Sequence, residues 1–189
     1  MNGMTPWQEE EAGRLRQPLT DDDHVLGPPE APATLVEYGD FQCPYCGAAH
    51  LVLKELLRRR PQTVRLVFRH FPLTNVHPNA EVAAEMSEAA AVRGTFWPMH
   101  DWLFSHQDKL DPPHLATGAD RVGLPVQEVE QELNGHSYRD RVQRDFVSGI
   151  RSGVNGTPTF FLNGVRHDGG YDLVTLSSAV DAAAAAAVR

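Results

Sequence analysis

From about residue 78 to residue 152 the chain carries almost nothing but helix signals, and strand-like runs lie only on either side of that block. Upstream, "ATLVEYGDF" offers a short apolar run through Leu35, Val36 and Tyr38, and "TVRLVFRHF" is rich in β-branched and aromatic residues. Between these runs Ala49, Val52, Leu53, Leu56 and Leu57 share one helical face, which Pro61 ends. Downstream, "TPTFFLNGVRHDGG" returns to strand character, with Asn163-Gly164 as a hairpin signal because both turn positions favour positive φ. The tail from Tyr171 reads as a final helix with Asp172 as its N-cap, and its alanine run carries no chemistry. The predicted order is therefore strand, helix, strand, a helical block, then hairpin and helix: an α/β fold with a large all-helical insertion.

Inside the block, Val82, Ala83, Met86, Ala89 and Ala90 form one stripe, and Gly94 is placed to end that helix. Thr95 and Asp111 stand where the next helices start, and Asp111 is followed by Pro112. Tyr138, Val142, Phe146 and Ile150 fall four apart and predict the buried stripe of a last insertion helix. Phe96, Trp97, Trp102 and Phe104 are expected to pack between the insertion and the sheet. Residues 1–30, charged and proline-bearing, read as an N-terminal arm, leaving 31–77 and 153–189 for the sheet-bearing domain and 78–152 for the insertion.

The 189 residues include 17 basic and 25 acidic side chains, a net charge of −8 that argues against nucleic acid as a partner. The run Arg58-Arg59-Arg60 fits a helix C-terminus complementing its dipole. No segment approaches a membrane span, and "MNGMTPWQEEEAGRLRQ" has neither the basic start nor the apolar core of a signal peptide. Taken at face value the protein is cytoplasmic, where structural disulfides are rare, and a monomer is the default expectation.

Two cysteines are present, and both lie in "DFQCPYCGAAH". A structural zinc site usually needs four ligands; no second pair exists, and the nine histidines are scattered. A redox pair fits better. Cys43 follows a strand and opens a helix with Pro44 in its first turn, so unpaired amides and the helix dipole favour a thiolate there. Cys43 is the expected nucleophile and Cys46, one turn on, the thiol that resolves its mixed disulfide. The sulfurs carry the chemistry, so no metal or organic cofactor is expected.

The stretch "LVEYGDFQCPYCG" resembles the active-site segment of the thioredoxin superfamily, and "SGVNGTPTFFLNG" resembles its cis-proline loop. The helical block between them resembles the insertion of DsbA-like thiol–disulfide oxidoreductases, and the similarity spans roughly residues 24–188. The resemblance implies that Thr157 and Pro158 lie beside the nucleophilic sulfur and, with Pro44 and Tyr45, meet substrate. It also implies that Glu37 is a buried acid beneath the active site, where a raised pKa lets it exchange protons with the thiols; an outward-facing residue paired with a lysine is the other reading. Asp40 is expected in a solvated or capping role, and His50 as a surface or satisfied core histidine.

Tyr45 stands where strongly oxidising DsbA proteins carry histidine. The pair is therefore expected to be less oxidising, within roughly −180 to −270 mV. The activity implied is disulfide exchange with protein or small-molecule thiols, together with a redox partner that recycles the pair. Two other classes share the fold: kappa-type glutathione transferases or hydroxychromene isomerases, and non-catalytic binding modules.

Overall fold

The computed structural model describes residues 13–187. A five-stranded sheet is built from β1 (His24–Leu26), β2 (Ala33–Gly39), β3 (Val64–His70), β4 (Thr159–Leu162) and β5 (Val165–His167), in the order β1-β3-β2-β4-β5. Only β2 and β3 run parallel, joined by helix α1 (Pro44–Arg59), as a parallel pair requires. β4 returns antiparallel beside β2 after the insertion and turns into β5. Asn163 (φ 49°) and Gly164 (φ 82°) make that turn in the left-handed region the hairpin needs.

Central position explains why β2 is apolar on both faces. Ala33 and Leu35 point to the side covered by α1 and the last helix, α7 (Leu173–Ala187), where Leu53, Leu56, Leu176 and Val180 close a core. Val36 and Tyr38 point the other way, onto Phe71, Val154 and Phe161. By the same two-residue period, Glu37 falls on the α1 side.

The insertion comprises α2 (Ala80–Ala91), α3 (Phe96–Ser105), α4 (Pro112–Arg121), α5 (Val126–Asn134) and α6 (Arg139–Arg151). Its core of Met86, Met99, Leu103, Leu115 and Val129 is continuous with Phe41, Phe68 and both cysteines. Asp111 caps α4 by accepting from the His114 amide.

Helix α6 departs from its predicted stripe. Val142 is buried, but Ile150 is 54 % exposed, because the buried face turns onto Asp145, Ser148 and Gly149. Gly149 lies so close to the sheet that a Cβ there would stand 2.7 Å from Phe71, so the helix settles where its side chain is smallest. The polar members are paired. Ser148 Oγ hydrogen-bonds Tyr38 Oη at 2.8 Å, and Asp145 accepts from the His70 amide at 3.1 Å.

The N-terminal arm needs correction. Residues 1–12 lie outside the described residues, but those that follow belong to the fold. His24–Leu26 pairs antiparallel with β3, Arg14 bridges Val165 at the opposite edge, and Leu15 and Leu19 pack on the core between. This strap is locked by Asp23, which takes two hydrogen bonds from the buried Arg69 guanidinium at 2.7 and 2.9 Å. Polar composition disguised it, because its anchor is an ion pair and only a few apolar side chains.

Candidate active site

Helix α1 starts where β2 ends, and its first residues carry the sulfurs. Cys43 occupies the N-cap with extended backbone (φ −73°, ψ 121°), Pro44 sits in the first turn, and both cysteines are free thiols. Cys43 is 3 % exposed and Cys46 fully buried, whereas Tyr45 between them is 65 % exposed.

The approach to the helix is held by a polar frame. The Asp40 carboxylate accepts from the Gln42 amide (2.8 Å) and the Leu73 amide (2.9 Å) and contacts His77 Nδ1 at 2.7 Å. Gln107, two residues past the end of α3, donates to the carbonyls of Phe41 and Cys43, both at 2.8 Å. A Cβ at Gly47 would stand 2.0 Å from the Gln107 amide, so glycine there admits this side chain. Asp40 is thus a buried organiser of the loop and not a solvated residue. Neither the solvated nor the capping role fits: Cys43 is the N-cap and has no side-chain cap, while the loop from Leu73 to His77 folds over the Asp40 carboxylate.

The Thr157–Pro158 bond is cis, and the Thr157 carbonyl oxygen lies 3.4 Å from Cys43 Sγ. Residues 114 positions apart therefore meet at the sulfur. Thr157 Oγ1 is buried without a neutral partner and adds to the stabilisation of a Cys43 thiolate.

The two thiols have opposite electrostatics. Cys43 is pulled down from 9.0 to about 5, chiefly by a hydrogen bond from the Cys46 thiol; burial opposes this, and Thr157 and the amides of Cys46 and Tyr45 assist. The helix amides invoked from sequence thus contribute, but the neighbouring thiol contributes more. Cys46 is pushed well above its ordinary value by burial first, then by its bond to Cys43 and the charge of Glu37.

Glu37 is 1 % exposed, with Oε1 lacking any hydrogen-bond partner. Burial, then the neighbouring Cys43 charge, raises its pKa from 4.5 to about 8. The outward, lysine-paired reading of Glu37 is excluded by this burial. His50 is buried and stacked on Phe104 with ring centres 5.0 Å apart, inside the helix interface. A cleft of about 560 Å³ lined by Asp23, His24, Glu88 and Arg141 includes none of these thiol-site residues.

Sequence reasoning missed Gln107 and His77, and no local pattern marks them. Each acts through a contact across more than thirty residues.

Among known proteins, residues 19–182 match the family model described as thioredoxin. The Na(+)/H(+) antiporter NhaA 3 of Salinispora tropica is 50 % identical over 167 residues, covering 88 % of this chain and 26 % of the antiporter. The NhaA 1 antiporter of Mycolicibacterium gilvum is 40 % identical over 172 residues, 89 % of this chain and 28 % of that protein. The chain thus spans about a quarter of the length of these curated relatives. Among solved structures, oxidised BdbD from Bacillus subtilis superposes with a TM-score of 0.84 at 20 % identity, covering 92 % of this chain and 99 % of that one. Wolbachia pipientis α-DsbA1 gives 0.78 at 25 % identity, covering 92 % and 96 %. Match to the thioredoxin family model over most of the length, and superposition on DsbA-type proteins through the helical block as well as the sheet, place this chain in the thioredoxin family with a DsbA-like fold.

Proposed function

We propose that this chain is a thiol–disulfide oxidoreductase in which Cys43 is the nucleophile, Cys46 the resolving thiol and Glu37 the buried acid that takes and gives a proton as the thiols exchange. The observation that carries the reading is the placement of the two thiols, Cys43 at the helix N-cap beside the cis Thr157–Pro158 bond and Cys46 fully buried one turn on. Cys43 is ionised at neutral pH, while Cys46 holds its proton until exchange demands it.

In the reductive direction, the Cys43 thiolate attacks a substrate disulfide, forming an S–S bond to one substrate sulfur and expelling the other as thiolate. Cys46 then loses its proton to Glu37 and attacks Cys43 Sγ. The substrate leaves with two electrons, and Cys43–Cys46 is left as a disulfide. The oxidative direction is the reverse, starting from that disulfide and a substrate dithiol. Glu37, with a pKa of about 8, is near-matched to this proton transfer at neutral pH.

Substrate recognition is assigned to the exposed Tyr45 and to Pro44, Thr157 and Pro158 around the sulfur. Direction follows the recycling partner and compartment. Tyr45 in place of histidine between the cysteines supports a potential within roughly −180 to −270 mV, and a redox titration giving a value near about −120 mV would refute it. In the antiporter relatives the matched segment is about a quarter of a larger protein. No helix among the described residues is long and apolar enough to cross a membrane.

The test is Cys46→Ala, which stops exchange at the mixed disulfide. A covalent complex that forms in cells, dissolves in reductant and disappears in Cys43→Ala is the expected result. Absence of any complex, together with sluggish alkylation of Cys43 by iodoacetamide at pH 6, would leave a non-catalytic binding module as the better reading.

A further inference from the structure

One turn beyond Cys46, the α1 helix meets α3 in a cluster that disulfide exchange does not use. His50 comes from α1, and His100 and Asp101 come from α3. Each offers one ligand atom, and the three lie within 4.8 Å of one another. His50 Nε2 and His100 Nδ1 each stand 3.6 Å from the same carboxylate oxygen, Asp101 Oδ1. At that distance neither contact is a hydrogen bond. It is close to the edge of a tetrahedron built on metal–ligand bonds of about 2.0–2.1 Å, which is about 3.4 Å.

His100 sharpens the case. Its side chain is 3 % exposed, yet neither ring nitrogen has a hydrogen-bond partner, although buried polar atoms normally find one. Aromatic rings surround it, with Phe68 edge-on at 4.8 Å and Trp97 at 4.9 Å between ring centres. Asp101 Oδ1, 3.6 Å from Nδ1, is placed to share a metal ion with it. The second Asp101 oxygen is held by Lys54 Nζ at 2.7 Å, which leaves Oδ1 turned to the imidazoles. The Lys54 ammonium is exposed and so screened by solvent, which limits its repulsion of a cation.

The other histidine–carboxylate group, His24, His70 and Glu88, is built differently. Both imidazoles already hydrogen-bond one Glu88 oxygen at 2.7 Å, and the Arg141 guanidinium lies 3.8 Å from that oxygen. That group is closed by its own bonds.

We propose that His50, His100 and Asp101 form a three-ligand site for a divalent ion of the zinc type, tying the cysteine-bearing helix to the insertion. Two imidazoles and a carboxylate suit zinc and its late first-row neighbours and not calcium or magnesium, which prefer oxygen. Asp101 is 46 % exposed, so the fourth position opens to solvent and takes a water.

The test uses the full chain with Cys43 and Cys46 closed in a disulfide, because free thiolates bind the same ions. Zinc is measured by equilibrium dialysis at micromolar free ion, and cobalt by its visible absorption. One equivalent per chain is expected, with a cobalt spectrum of four-coordinate type and a metal-dependent rise in melting temperature. Asp101→Asn, at a solvent-facing position, and His50→Gln should each weaken binding by at least about tenfold, since even outer-shell changes cost that much. His24→Gln should leave binding unchanged. Circular dichroism without metal verifies that each variant is folded. Failure of the oxidised chain to hold an equivalent, binding untouched in both Asp101→Asn and His50→Gln, or binding lost in His24→Gln would overturn the assignment.

Discussion

Replacing Cys46 separates two accounts of why Cys43 is acidic. Its fall from 9.0 to about 5 is a ten-thousandfold gain in acidity, about 5 kcal/mol. Four interactions favour the thiolate: the Cys46 thiol, the Thr157 side chain, and the amides of Cys46 and Tyr45, with burial opposed. The Cys46 thiol is the largest of them, and a hydrogen bond to a charged group contributes about 1.5–3 kcal/mol, or about one to two pKa units. Cys46→Ala should therefore move the Cys43 midpoint to about 6 or above, while Cys46→Ser, which keeps a donor, should move it less. The assay is the rate of alkylation by iodoacetamide against pH. At pH 5 wild-type Cys43 is half ionised and the alanine variant roughly a tenth, so the rate there should fall about fivefold; above pH 8 the profiles should merge. Coincident profiles would refute the thiol–thiolate bond as the leading cause and return the acidity to the helix amides.

Thr157→Val should also raise the Cys43 midpoint, by less than Cys46→Ala, and make the pair less oxidising in glutathione equilibration; a more oxidising pair would contradict the geometry. Glu37→Gln should slow exchange yet stabilise the fold. Glu37 titrates at 4.5 when unfolded and about 8 when folded, so its destabilising contribution is absent below pH 4.5 and grows until pH 8, reaching up to about 3 kcal/mol at pH 7. After about 1–2 kcal/mol is lost to the unpaired amide, urea denaturation should show a gain of ~1–2 kcal/mol at pH 7 and a loss of about 1–2 kcal/mol at pH 4. An equal effect at both pH values would sink the argument. Asp23→Ala strands the Arg69 guanidinium, 1 % exposed, and should cost about 3–5 kcal/mol in the same assay; a loss below about 1 kcal/mol would show that the strap is not anchored there.

Much of the fold was legible because its signals are local. The apolar run of β2, the helical spacing of α1, the turn at Asn163-Gly164 and the cap at Asp111 each act within a few residues. What misled was composition: the stretch from Gly13 to Leu26 looks like a solvated arm, and its fixing partner, Arg69, stands dozens of residues away. The stripe through Ile150 failed for a related reason. Close approach to the sheet at Gly149 chose which face of α6 turned inward, and a helix period alone cannot weigh that.

The sequence by itself determined that two thiols would share the first turn of a helix, because strand, proline and cysteine spacing are contiguous in the chain. Only the tertiary structure decided how acidic one thiol is and how reluctant the other, since that depends on Thr157 arriving from another segment, on Glu37 being sealed from water, and on the burial of Cys46. It alone brought His50 to His100 and Asp101. Electrostatic and ligand chemistry depends on distance through space, and the chain specifies those distances only once it has packed.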